Sequence, residues 1–89
     1  MDDIMQENTD VAVPAQGPSL SAMLGRNVRA LRLSRALPKY ALAKMAGISR
    51  PTLNKIEHGT ANARLSTIEL LADALSVSPF DLISNRIIL

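Results

Sequence analysis

The 89-residue chain contains no cysteine, which excludes disulfides and thiolate metal sites. Its one histidine, His58, leaves no basis for a histidine-ligated metal cluster. Aromatic residues make up 2%, only Tyr40 and Phe80, although 47% of the chain is hydrophobic. The core must therefore be aliphatic, which favours packed helices over a sheet, where β-branched and aromatic residues concentrate. No run approaches the roughly 18 apolar residues of a membrane span. The opening "MDDIMQENTD" lacks the apolar stretch of a secretory signal. One small domain in the cytoplasm, with no membrane partner, is the expectation.

Carboxylates are missing from one long stretch. Residues 1–20 carry Asp2, Asp3, Glu7 and Asp10 and no base, whereas residues 21–89 carry all ten bases and four acids. Between Asp10 and Glu57 there is no acid, while Arg26, Arg29, Arg32, Arg35, Lys39, Lys44, Arg50 and Lys55 all fall there. A block of this kind is either a solvated cationic face or a surface for a polyanion.

Residues 1–19 lack periodicity, contain Pro14, Gly17 and Pro18, and read as a disordered acidic arm. From Ser19 or Ser21 the pattern turns helical. Leu24, Val28 and Leu31 recur at i, i+4, i+7, and this helix is expected to reach about Ala36. Pro38 reads as the first-turn residue of a second, short helix with Leu42, Ala43 and Ala46 inward. Gly47 ends it, because glycine tolerates the left-handed exit of a helix. Ser49 is a cap for a third helix with Pro51 in its first turn, Leu53 and Ile56 inward, and Pro51, Asn54, Lys55 and His58 outward. Ser66 and Glu69 have capping-box spacing ahead of a fourth helix whose inner stripe is Ile68, Leu71, Ala72 and Leu75. "SPFD" repeats the start signal for a fifth helix running to about Ser84. The chain closes on an apolar "RIIL", residues 85–89 forming an extension beyond a domain at 20–84.

Catalysis finds no support in these residues. There is no phosphate-binding glycine loop, and the acids of residues 21–89 are scattered over separate elements. Ser49 and His58 sit at opposite ends of one helix, too far apart for a nucleophile–base pair. No cofactor is implied. Two short helices joined by a bend containing Gly47 instead describe a helix-turn-helix, in which Ala43 is small because the second helix crosses close above it.

The pieces "LAKMAGIS", "LNKIEHG" and "LADALSVSPFDL" resemble the lambda-repressor-like (Xre-type) helix-turn-helix regulators of bacteria and phages, from about Leu24 to Ser84. The resemblance implies an all-α, compact five-helix fold and sequence-specific binding of double-stranded DNA by a transcriptional regulator, in the repressor sense. Its third helix would lie in the major groove, with a homodimer on a palindromic operator. Carried over by position, Arg50, Pro51, Thr52, Asn54 and Lys55 become base-contact candidates. Arg50 and Lys55 suit guanine, Asn54 suits adenine, and Thr52 suits a thymine methyl or a phosphate. Lys39, Tyr40, Ser49, His58, Thr60, Asn62 and Arg64 become phosphate-contact candidates, although Tyr40, like Met45, also reads as a scattered surface residue. Arg32 and Glu57 match a partly buried structural ion pair of the family. Lys39 stands where glutamine is frequent and Pro38 where a capping Ser, Thr or Asn is usual, so phosphate attraction there should be more salt-sensitive. Phe80 with Ile87, Ile88 and Leu89 is a candidate dimer or partner surface. The alternative is an antitoxin or adaptor of the same fold whose main partner is a toxin or another protein.

Overall fold

Ser19 caps the first helix, its Oγ accepting the Ala22 N–H at 3.1 Å. In the computed structural model, which describes residues 19–85, this helix, α1, spans Leu20–Ser34. It is followed by α2 (Lys39–Ala46), α3 (Arg50–Glu57), α4 (Leu65–Leu75) and α5 (Pro79–Leu82). The described residues form an all-α, five-helix fold, and the inward stripes read from the sequence meet in one aliphatic core, except that Ile68, expected inward on α4, is only half-buried at its edge. Leu24, Val28 and Leu31 of α1 pack with Leu42, Ala43 and Ala46 of α2, Leu53 and Ile56 of α3, Leu71, Ala72 and Leu75 of α4, and Leu82 of α5. All twelve are buried. The expected arm apart from Ser19, and residues 86–89 of the apolar end, lie outside the described residues.

Four expectations about helix ends are corrected. First, α1 stops at Ser34 rather than Ala36. Ala36 takes a left-handed φ of 53° and the Leu37 N–H returns to the Arg32 carbonyl at 3.1 Å. Pro38 also disfavours helical geometry at Leu37, so the turn has to be made earlier. Second, Pro38 is the cap of α2 in extended geometry (φ −71°, ψ 158°), with Lys39 as the first helical residue. Proline offers no capping side chain; its carbonyl takes the Ala41 and Leu42 N–H groups instead.

Third, the Ser66–Glu69 spacing is not a capping box. Arg64 is the cap of α4, without a side-chain hydrogen bond, and Leu65 is already helical. A cap is worth about 1 kcal/mol, and the start of α4 is held instead by the Arg64 carbonyl, which accepts from Thr67 and Ile68. The box appears at α5. There Ser78 Oγ accepts from the Phe80 N–H at 3.2 Å and the Asp81 carboxylate accepts from the Ser78 N–H at 3.0 Å. Fourth, α5 ends at Leu82, two residues short of Ser84, because a side chain from α1 takes over its last carbonyls. Asn27, fully buried, donates from Nδ2 to the carbonyl oxygens of Ser84 (2.8 Å), Leu82 (2.9 Å) and, more weakly, Asp81 (3.3 Å).

Two glycines are required by geometry. Gly47 closes α2 in the left-handed region (φ 71°), as read from the sequence. Gly25, in the middle of α1, lies against the end of α3. A Cβ there would come within 2.3 Å of the Ile56 carbonyl oxygen, with the Glu57 oxygen and Gly59 nitrogen each at 3.0 Å. The closest approach of α1 to α3 is therefore backbone against backbone.

Candidate nucleic-acid interface

The outer face of α3 follows from its inner one. With Leu53 and Ile56 buried, Arg50, Pro51, Thr52, Asn54 and Lys55 are all exposed, and so is His58 just beyond the helix. At the N-terminus Ser49 accepts the Thr52 N–H at 3.2 Å and donates its own hydroxyl proton to Thr52 Oγ1 at 2.8 Å. These two hydroxyls thus hold each other and fix the first turn. At the C-terminus the last carbonyls are taken by neighbours. His58 Nδ1 lies 2.7 Å from the Asn54 carbonyl, and Thr60 bonds the Lys55 carbonyl through both its N–H (3.2 Å) and its hydroxyl (3.3 Å). A carbonyl only accepts, so Nδ1 carries the hydrogen and Nε2 is left outward.

The one acid of this region is turned away from the face. Glu57 receives Arg32 in a two-point ion pair, Nε to Oε2 at 2.6 Å and Nη2 to Oε1 at 3.0 Å, while Nη1 donates to the Leu37 carbonyl at 2.9 Å. Side-chain exposure is 8% for Arg32 and 2% for Glu57. The hydrogen bond to Glu57, aided by its charge and opposed by burial, raises the Arg32 pKa above the ordinary arginine value. The other acids among the described residues, Glu69, Asp73 and Asp81, stand on α4 and α5. The charged side chains left on the outer surface of α2 and α3 are all cations.

The structure gathers the remaining candidates into two groups. Ser49, Thr60, Asn62 and Arg64 line one open cleft with Thr52 and Lys55, between α3 and the start of α4. Ser21 steadies its far wall by donating to the Ala61 carbonyl at 2.9 Å. Lys39 and Tyr40 stand apart from it, on the first turn of α2, and Lys39 Nζ reaches across to Asn54 Oδ1 at 3.0 Å. Phe80 is separate from both. It is 78% exposed and lines a mostly apolar groove with Leu65, Ile68, Pro79 and Ile83, edged by Glu69. Ile87, Ile88 and Leu89 lie outside the described residues. Among those described, no cluster of His, Cys, Asp and Glu suits a metal, and no helix is long and apolar enough to cross a membrane.

Sequence reasoning missed Asn27, Gly25, Leu65 and the Lys39–Asn54 contact. Asn27 had a signal, being a polar residue three positions after Leu24 inside an apolar stripe. Gly25 had one too, as a mid-helix glycine with no exit to make. The contact between Lys39 and Asn54 joins two helices and has no local signature.

A two-helix unit with a left-handed glycine bend, a cationic outer helix and an inward acid defines a recognisable architecture. The helix-turn-helix family model matches residues 28–82, from the middle of α1 to the end of α5. The chain belongs to the helix-turn-helix family. It is a DNA-binding transcription regulator of the lambda-repressor-like type. Control protein C.BamHI of Bacillus amyloliquefaciens is 35% identical over 66 residues, covering 73% of this chain and 82% of that protein. Antitoxin PezA of Streptococcus pneumoniae is 31% identical over 63 residues, of which this helix-turn-helix chain spans only 40% of the antitoxin's length. The crystal structure of the restriction-modification controller protein C.AhdI from Aeromonas hydrophila has a TM-score of 0.67 and 32% identity, over 70% of this chain and 94% of that one.

Proposed function

We propose that this helix-turn-helix regulator lays α3 in the major groove and represses transcription as a homodimer on a palindromic operator. The observation that carries the reading is the sorting of charge on α3. Arg50, Asn54 and Lys55 stand exposed on its outer face while Glu57 turns inward to Arg32. Arg50, the first residue of α3, and Lys55 donate to guanine O6 and N7. The cleft with Arg64, Asn62, Thr60 and Ser49 takes a backbone phosphate on one side of the reading helix, and the first turn of α2 takes another opposite it. His58 adds a contact at the far end of α3. The dimer forms through the apolar groove of α4 and α5, where Leu65 and Phe80 are 79% and 78% exposed.

Selection of bound duplexes from random DNA, titrated at two salt concentrations, tests this. The expected product is a palindrome with half-sites about 10 bp apart, or a multiple. Arg50→Ala should relax preference at one base pair and cost about 1–3 kcal/mol there; equal weakening on all sequences would mark Arg50 as a phosphate contact instead. The likeness to antitoxin PezA supports a second reading, a protein partner for the α4–α5 groove with DNA binding secondary. Failure to enrich any sequence would favour it.

A further inference from the structure

The first turn of α1 is fastened to the wall of the cleft between α3 and α4. Ser21 Oγ donates to the Ala61 carbonyl at 2.9 Å. Gly59 lies so close to Ala22 that a Cβ on it would come within 3.1 Å of the Ala22 Cα. The loop held by these two contacts carries Thr60, Asn62 and Arg64 into the cleft. The chain that precedes Ser19 therefore leaves the fold beside that wall. Residues 1–18, outside the described residues, hold Asp2, Asp3, Glu7 and Asp10 and no Lys or Arg.

The cleft has the complementary chemistry. Lys55 and Arg64 supply two cations, Asn62 adds amide hydrogens, and no carboxylate is among the residues that line it. A carboxylate offers such a site what a phosphate offers, a negative charge with accepting oxygens. Reach is sufficient: the nine residues from Asp10 to Ser19 can span up to about 30 Å. A tether of this kind holds its acids at an effective concentration on the order of millimolar. A contact too weak to retain a free peptide then still fills the cleft.

We propose that the cleft is a docking site for an acidic segment of this same chain, residues 1–18, which occupies it without DNA and competes there with the DNA backbone. The competition rests on the reading that the cleft takes a phosphate; the docking does not. Displacing the arm is the same cost on every duplex, so it lowers affinity without changing the sequence that is preferred.

The first test needs no DNA. The chain has no cysteine, so Gln6→Cys takes a nitroxide label at one place. At low salt the label should broaden the amide resonances of Thr60, Asn62 and Arg64 and leave that of Phe80, on α5, sharp. Salt at about 0.5 M should abolish the broadening, because screening then acts within a few ångströms. Replacing the four acids in the labelled chain (Asp2→Asn, Asp3→Asn, Glu7→Gln, Asp10→Asn) should abolish it too.

The second test is titration of a random-sequence duplex with the full chain. The four-acid variant should bind about fivefold more tightly at low salt, with the gain fading as salt rises. Long-range repulsion between the arm and DNA would give the same result, so the comparison is repeated on Arg64→Gln. The Arg64 side chain makes no cap hydrogen bond whose loss would disturb α4. In that background the gain should fall to about half or less, because the cleft holds the arm less well.

Broadening spread evenly over the molecule, or centred on another element, overturns the docking. An equal gain in both backgrounds, or no gain in either, overturns the competition. If no duplex binds any of these proteins, the reading of DNA contact fails and takes the competition with it. The broadening at the cleft then decides the docking alone.

Discussion

Glu57 is a carboxylate beside the surface proposed to approach phosphate, and its geometry resolves that conflict. Its two oxygens are both taken by Arg32, whose third nitrogen is taken by the Leu37 carbonyl, so the pair buries without an unmatched charge. Such a pair adds little over an apolar substitute of the same shape, but removing one partner strands the other in a dry site. Glu57→Gln should therefore destabilise the fold by about 3–5 kcal/mol. Urea unfolding measures this, and DNA affinity should fall only as far as the unfolded fraction rises. The linkage to pH has a definite sign. The folded-state pKa of Arg32 is raised, so its contribution is complete below the ordinary arginine value and is lost only as pH climbs through the raised one. Both lie far above neutrality, and stability at neutral pH does not depend on Arg32 titrating.

At the scale of the helices, the sequence was legible wherever a stripe of aliphatic residues repeated every three or four positions. The registers of all the longer helices were read that way, because a one-residue shift would expose a leucine from each. Ends were harder. The Ser66–Glu69 spacing looks like a cap, but a local preference of about 1 kcal/mol does not decide where a helix begins when its neighbours hold it. The end of α5 is set by Asn27, 54–57 residues earlier in the chain, which no local window contains. The candidate face was legible for a related reason: once Leu53 and Ile56 are placed inward, Arg50, Asn54 and Lys55 have only one way to point. The link from Lys39 was not, since it depends on how α2 and α3 cross. The crossing of α1 on α3 makes the sharpest demand. Gly25→Ala would drive a methyl group into the Ile56 carbonyl, which is backbone and has little room to yield. Helix propensity favours alanine by about 1 kcal/mol, yet the clash should win. A net loss of about 1–3 kcal/mol is expected, read as a lower midpoint in urea with an unchanged slope.

Among the described residues, charge divides unevenly over the helices. Exposed cations stand on α1 (Arg26 and Arg29), α2, α3 and the start of α4, whereas the acids other than Glu57 stand on α4 and α5 with the exposed Leu65, Leu70 and Phe80. If α3 reads DNA as proposed, a single copy presents one helix of eight residues, about 12 Å long, enough to follow only a few base pairs. Specificity against a genome then calls for a second copy, and the α4–α5 groove is the surface on which one would bury apolar area. Leu65 and Phe80 stand out from it, each too exposed to serve the core, so replacing both with serine should leave the monomer's fold and melting transition nearly intact. Light scattering after size exclusion should show the unaltered chain with twice the mass of this double variant. On DNA the variant should bind a single half-site as the unaltered chain does. It should lose the advantage of a full palindrome, because two linked half-sites gain by effective concentration and two independent ones do not. A double variant that kept both the mass and the palindrome preference would place the dimer contact on another face of the molecule.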